Sequence, residues 1–189
     1  MLRRTALALS AAGLALLAAP ALADHHEEGE MKAPDLSGVY KLTGGEKYGE
    51  AIPAARLKDN SSTIVGEDGK GRWAVVDKDK ADLYASDFKI VGPAKIKGED
   101  GEMMKDVYEI DLLSQIPEAG SKAPGLVKVT KTEKNGKMVV TKIHLIYALD
   151  GNRPTDLKTN GKQLAFMMER TAAPATEDGT PADEDEEQG

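Results

Sequence analysis

The chain has 189 residues, of which 40% are hydrophobic, 4% aromatic and 30% charged, with a formal net charge of −7 and no cysteine. That is the size of one domain with tails, and the composition excludes a wholly disordered polymer, a collagen and a polytopic membrane protein. The missing cysteine excludes a disulfide framework, thiolate zinc sites and cysteine nucleophiles. Residues 1–23 read as a secretory signal peptide. Arg3 and Arg4 form its positive start, Ala6 to Ala19 its apolar run, and Ala21-Leu22-Ala23 the small-x-small triplet that a signal peptidase accepts. The run is shorter than the about 18 residues a permanent span wants. An exported, periplasmic or extracellular mature chain without a membrane span is expected.

Cleavage after Ala23 would leave Asp24-His25-His26 at the new terminus. A free α-amine, two backbone amides and the His26 imidazole present four nitrogens in one plane, a geometry suited to Cu(II) or Ni(II). Asp24, His25 and His26 are the candidate Cu(II) site; the alternative is a short tail whose histidines bind nothing. Residues 24–35 form an acidic tail with five acids and one lysine. Residues 171–189 hold seven acids and no base among Ala, Pro and Thr, and read as a disordered solvating tail. Between the tails, residues 36–170 carry 20 acidic and 22 basic residues. The domain is near neutral, and nucleic-acid binding, which calls for a clustered basic face, is not expected.

Residues 36–170 alternate short β-rich runs with Gly, Pro and charged turns. The runs are Gly38–Leu42, Ser62–Val65, Arg72–Val76, Leu83–Val91, Met103–Leu112, Leu126–Thr132, Lys137–Leu149 and Gln163–Arg170. Met104, Tyr108, Ile110 and Leu112 share one face of their run, opposite Lys105, Val107, Glu109 and Asp111, which is the period of a half-buried strand. Asn135-Gly136 supplies positive φ for a tight hairpin, and Asp68-Gly69 and Asp100-Gly101 repeat that chemistry. One short helix, Ala51–Leu57, is expected after the first strand, with Pro53 near its start. About eight sequential antiparallel strands predict an all-β, up-and-down barrel, which removes exposed edges by closing. A β-sandwich is the alternative.

Several stretches carry a resemblance. Gly38-Val39-Tyr40-Lys41-Leu42, then Glu46-Lys47-Tyr48-Gly49-Glu50-Ala51-Ile52-Pro53, and the closing Asp150-Gly151-Asn152-Arg153-Pro154-Thr155 with Gln163–Arg170, are similar to an uncharacterised lipocalin-like domain family common in planctomycete-type bacteria. The likeness spans about residues 36–170. Tyr40 stands where tryptophan is usual and Leu157 where phenylalanine is usual. The resemblance implies a lipocalin-like barrel and no activity, since fold does not carry function. It also implies that Tyr40, near the start of the first strand, packs beneath Arg170 at the end of the last.

Catalytic chemistry is sparse. Three histidines exist, and only His144 lies outside the N-terminal tail. It shares an alternate-residue face with Met138, Val140, Lys142 and Ile146, and reads as a strand-face residue rather than a triad member. Asp77-Lys78-Asp79 mimics the start of a calcium loop without its glycine or its closing glutamate, and reads as a hairpin turn. Arg153-Pro154-Thr155 has two readings: Pro154 re-aims the chain, or Arg153 grips an anion at the barrel mouth. No enzyme is expected. An eight-strand barrel can hold one small ligand, so binding of a small apolar or amphipathic molecule is the favoured function. The alternative is an interaction or structural module with a filled barrel and a protein partner. Phe88, Tyr108, Ile110, Leu145, Phe166 and Met168 are the expected inward-facing ligand contacts. Ala74, Ala85, Ala148 and Ala165 suggest room inside, and the methionines at 103, 104, 138, 167 and 168 suit either an irregular core or an apolar cavity.

Overall fold

Alternation of large apolar with polar residues closes this chain on itself. In the computed structural model, which describes residues 32–172, it runs as β1 (Gly38–Lys47), β2 (Glu50–Ala51), α1 (Ala54–Lys58), β3 (Ser61–Glu67), β4 (Lys70–Val76), β5 (Asp82–Pro93), β6 (Val107–Ile116), β7 (Lys122–Lys134), β8 (Lys137–Ala148) and β9 (Gln163–Ala172). Neighbours pair in the order β2-β1-β3-β4-β5-β6-β7-β8-β9, and β1 also pairs with β9. Every pairing is antiparallel, so eight strands close a ring, and the two-residue β2 folds back on the end of β1. The expected up-and-down barrel is what forms, not a sandwich. No described helix is long and apolar enough to cross a membrane. The signal peptide, the Asp24-His25-His26 site and most of the acidic C-terminal tail lie outside the described residues.

Two-residue turns set the register. Asp68-Gly69 (φ 49° and 75°) and Asn135-Gly136 (φ 50° and 72°) put both central residues in the left-handed region, whose twist matches that of the flanking strands. Tyr48-Gly49 does the same (φ 54° and 84°) between β1 and β2. A tyrosine is a poor signal for such a turn, and β2 was therefore not expected. Since β2 takes Ala51, the helix starts later than expected, at Ala54, after Pro53 at φ −55°.

Cross-strand partners show which residues point inward. Trp73 pairs with Ile64 and Ser86, Phe88 with Leu112, Tyr108 with Val127, Leu145 with Phe166, and Leu42 with Met168. Trp73 meets Phe166 edge-on at 5.5 Å and Tyr147 at 6.0 Å, while Tyr147 stacks on Phe166 at 6.3 Å. Such pairs add about 0.5–1.5 kcal/mol each beyond the area they bury.

The outer face is not uniformly wet. Val107, Leu126, Ile146 and Ala165 are buried outside the ring, under Ala94, Ile96, Met104 and Leu157. This covering explains Val107 on an otherwise polar face. It also corrects the expected strand: Met103 and Met104 belong to the covering segment, which turns at Asp106 (φ 56°) before β6 begins. A bulge opposite Thr130 and Lys131 shifts β8 by one residue, so that Val140 and Ile143 both face inward. His144 therefore does not share a face with Val140.

Candidate functional site

The two ends of the barrel differ. At the end where β1 starts, residues Ala33 to Leu36 cross the opening. Leu36 is buried, Tyr40 Oη donates to its carbonyl at 2.7 Å, and the Ser37 hydroxyl donates to the Gly66 carbonyl at 2.7 Å. Arg170 pairs with Tyr40 across the β1–β9 seam. Its guanidinium carbon lies 5.5 Å from the Tyr40 ring centre, and it donates to the Ser37 carbonyl. Burial raises the Tyr40 phenol above its ordinary pKa, and the neighbouring Arg170 charge offsets part of that rise. This end is plugged.

The middle is filled. Phe88, Ile110, Leu145 and Met168, with Trp73, Leu112 and Val127, surround a void of about 10 Å³. That is no more than one water probe occupies. Tyr108 lies nearer the plugged end, with the Lys131 ammonium 5.7 Å from its ring centre and 2.6 Å from Asp106. Of the six expected ligand contacts, these five are packed into the core, and Phe166 alone among them borders an open-end cavity.

At the opposite end, where β1, β4, β6 and β8 finish, the barrel is open. A cavity of about 370 Å³ descends to Trp73, Leu112, Tyr147 and Leu164, walled by Tyr84, Ser86, Ser114, Ser121 and Ala123. A second lobe of about 580 Å³ is bounded by Ile52, Arg56, Leu57, Val75, Leu83 and Phe166. Lys47, Tyr84, Pro117 and Leu164 line both. The room comes from side-chain size: Ser86 and Ser114 face each other across β5 and β6, and Ala123 faces Leu112 across β6 and β7, where larger residues would meet over the aromatic floor. Ala74, Ala85 and Ala165 do not supply it. Ala74 and Ala85 pack outside with Val76 and Ile116, Ala165 lies in the outer cluster, and Ala148 pairs with Gln163 on the face opposite Tyr147.

Tyr147 is the most informative residue here. It is 6% exposed. Burial first, then the nearby Tyr84 and Tyr48 phenols, push its pKa well above the usual tyrosine range, and no hydrogen bond among the described residues offsets this. Trp73, by contrast, donates its Nε1 hydrogen to Ser62 at 2.6 Å. Lys47 makes no ion pair among the described residues, and its ammonium lies 5.9 Å from the Tyr48 ring centre. No family model, no curated protein and no solved structure matches this chain. The cavity is therefore interpreted from its own chemistry.

That chemistry is aromatic faces and hydroxyls, with one cation, Lys47, and one carboxylate, Glu118, in the lining. Among the described residues no group of three or more His, Asp or Glu converges on a metal-sized site. His144, the one described histidine, alternates with the inward Ile143 and Leu145 and so faces outward beside Lys128 and Met167, away from the cavity. Burial lowers its pKa below the ordinary 6.5. Arg153 is away from the mouth as well. Its Nη1 donates to the carbonyls of Ile110 (2.9 Å) and Gly125 (2.7 Å), its Nη2 to Asp111 (2.6 Å), and its Nε lies 3.4 Å from Glu109. Every donor group is engaged with β6 or β7, and Arg153 straps the following loop to the barrel wall. The structural reading of Arg153-Pro154-Thr155 is the one its geometry supports. Among the site residues, sequence reasoning missed Trp73, Tyr84, Tyr147, Ser86, Ser114 and Lys47. One signal was present: the single tryptophan stands on an inward face with serines on the neighbouring strands.

Proposed function

We propose that this is an exported binding protein that carries one small amphipathic molecule in the open end of a lipocalin-like barrel. The observation that carries the reading is the cavity of about 370 Å³ over Trp73, lined by Tyr147, whose hydroxyl makes no hydrogen bond to another described residue. Small-molecule sites are concave, mostly apolar, about 300–1,000 Å³ in volume, and orient their ligand with a few polar groups. Tyr147 lines the cavity without a protein partner for its hydroxyl among the described residues, so that hydroxyl is available to a polar group that comes from outside. The leader-like residues 1–23 support export. The outward position of His144 favours binding over acid–base catalysis.

The filled middle favours the second reading, a structural or interaction module, but it leaves the open end unexplained. Native mass spectrometry of the protein recovered from its own source tests the first reading. A retained non-covalent adduct is expected, lost on substituting Trp73→Leu or on filling the mouth with Ala123→Phe. A bare mass together with no small-molecule binding by the delipidated protein would refute it.

A further inference from the structure

The polarity of the cavity changes with depth, and this restricts the ligand. At the bottom are the Trp73 and Tyr147 rings, backed by Phe166, with the Tyr147 and Ser86 hydroxyls beside them and no ionised side chain. Charge taken out of water needs a partner, so the inserted part is neutral. It is also flat, because aromatic faces and edges are what the floor offers. A volume of about 370 Å³ lies at the small end of ligand sites, enough for one substituted ring and too little for a long acyl chain. Charged residues stand only at the rim. Glu118, exposed on the β6–β7 loop, and Lys47 both line the deep lobe, Arg56 and Asp59 border only the second lobe, and Lys47 borders both lobes. A molecule emerging from the deep lobe meets Lys47 as the rim cation and Glu118 as the rim anion, and of the two Lys47 alone also borders the second lobe.

We infer that the deep lobe takes a small aromatic carboxylic acid bearing a neutral phenolic or carbonyl group, ring inward, its carboxylate left at the rim beside Lys47. This rests on the binding reading above. The Tyr147 hydroxyl bonds the ring's polar substituent, and the Lys47 ammonium meets the carboxylate in partly solvated surroundings.

The test is calorimetric titration of the full mature chain with four probes: 3-(4-hydroxyphenyl)propanoate, its methyl ester, 3-phenylpropanoate and octanoate. Emission of Trp73, the single tryptophan, reports occupancy of the same site. The hydroxylated acid is expected to bind best, about 3- to 10-fold more tightly than the unhydroxylated one, the value of one net hydrogen bond. In Tyr147→Phe, a variant that keeps the ring, that preference vanishes while the circular dichroism is unchanged. In Lys47→Gln the acid weakens several-fold and the methyl ester does not. Octanoate binding as tightly as the hydroxylated acid, or a phenol preference that survives in Tyr147→Phe, overturns the inference and leaves an amphiphile-binding protein. If none of the four binds at millimolar concentration or perturbs Trp73, both the inference and the binding reading fall.

Discussion

Arg170→Ala isolates what the seam of the barrel contributes. The substitution removes a guanidinium stacked 5.5 Å from the Tyr40 ring centre, worth about 0.5–2 kcal/mol depending on desolvation. It also removes a charge-assisted bond to the Ser37 carbonyl, worth about 1.5–3 kcal/mol. Against these stands one gain. Arg170 Nε is buried without a partner among the described residues, and deleting it recovers about 1–3 kcal/mol. The net expectation is a loss of about 1–2 kcal/mol, which lowers Tm by about 3–8 °C for a domain of this size. Urea unfolding should show a lower midpoint at unchanged m. Arg170→Lys should not restore stability, because an ammonium lacks the planar face that lies over Tyr40. Probe binding at the open end should be unaltered, since the seam lies at the plugged end. An Arg170→Ala protein within about 0.5 kcal/mol of the parent, the range of ordinary surface substitutions, or Arg170→Lys as stable as the parent, would refute the reasoning.

Three further outcomes are expected. Tyr147→Phe should leave the ligand-free protein within about 0.5 kcal/mol of the parent, whereas Tyr40→Phe, which loses the 2.7 Å bond to Leu36, should cost about 1 kcal/mol in the same denaturant melts. Arg153→Lys should cost about 1.5–3 kcal/mol, because one ammonium cannot replace the forked contacts to two carbonyls and Asp111; hydrogen exchange should rise in residues 150–160. Burial holds the His144 imidazole below its ordinary 6.5, so the unfolded chain takes up that proton more readily than the folded one. Stability from this group is complete above pH 6.5 and is lost as pH falls below it; melts of parent and His144→Gln between pH 7.5 and 5 should diverge toward acid, with the parent losing more.

The barrel was legible because its strands alternate and its turns use Asp-Gly and Asn-Gly. Each of those signals is local, and each survives in the folded chain. The inward positions of Phe88, Tyr108, Ile110, Leu145, Phe166 and Met168 follow from the same period of two. Whether an inward residue meets a neighbour or a cavity is a different question. It depends on what stands across the barrel, from strands far apart in sequence. Alternation places Leu145 and Tyr147 on one face, yet one lies in the filled middle and the other at the open end, according to how far each strand runs before it turns. The alanines misled for a related reason. Small residues inside a barrel make room, but Ala74 and Ala85 face out, where they let Val76 and Ile116 pack closely. The covering of Val107 and Ile146 by residues 94–104 left only a trace in the sequence: apolar side chains on a face that should have been wet.

The two halves of this barrel differ in how they are filled. The plugged end pairs most of its polar groups, Arg170 Nε excepted: Tyr40 bonds Leu36, Ser37 bonds Gly66, and Lys131 bonds Asp106. Its interior closes to a void of about 10 Å³. The open end has the opposite character, with serines and an alanine where large side chains would fit over the aromatic floor. That missing packing destabilises the folded state relative to a filled barrel. A barrel selected for stability alone has no use for such gaps, and a partner bound at the mouth would reverse their cost by mass action, since ligand that binds only the folded state stabilises it. Replacing Ser86 and Ser114 with larger apolar residues should therefore make the ligand-free protein more stable and abolish probe binding together. A filled variant that gains stability and still binds would show that the mouth is not the site.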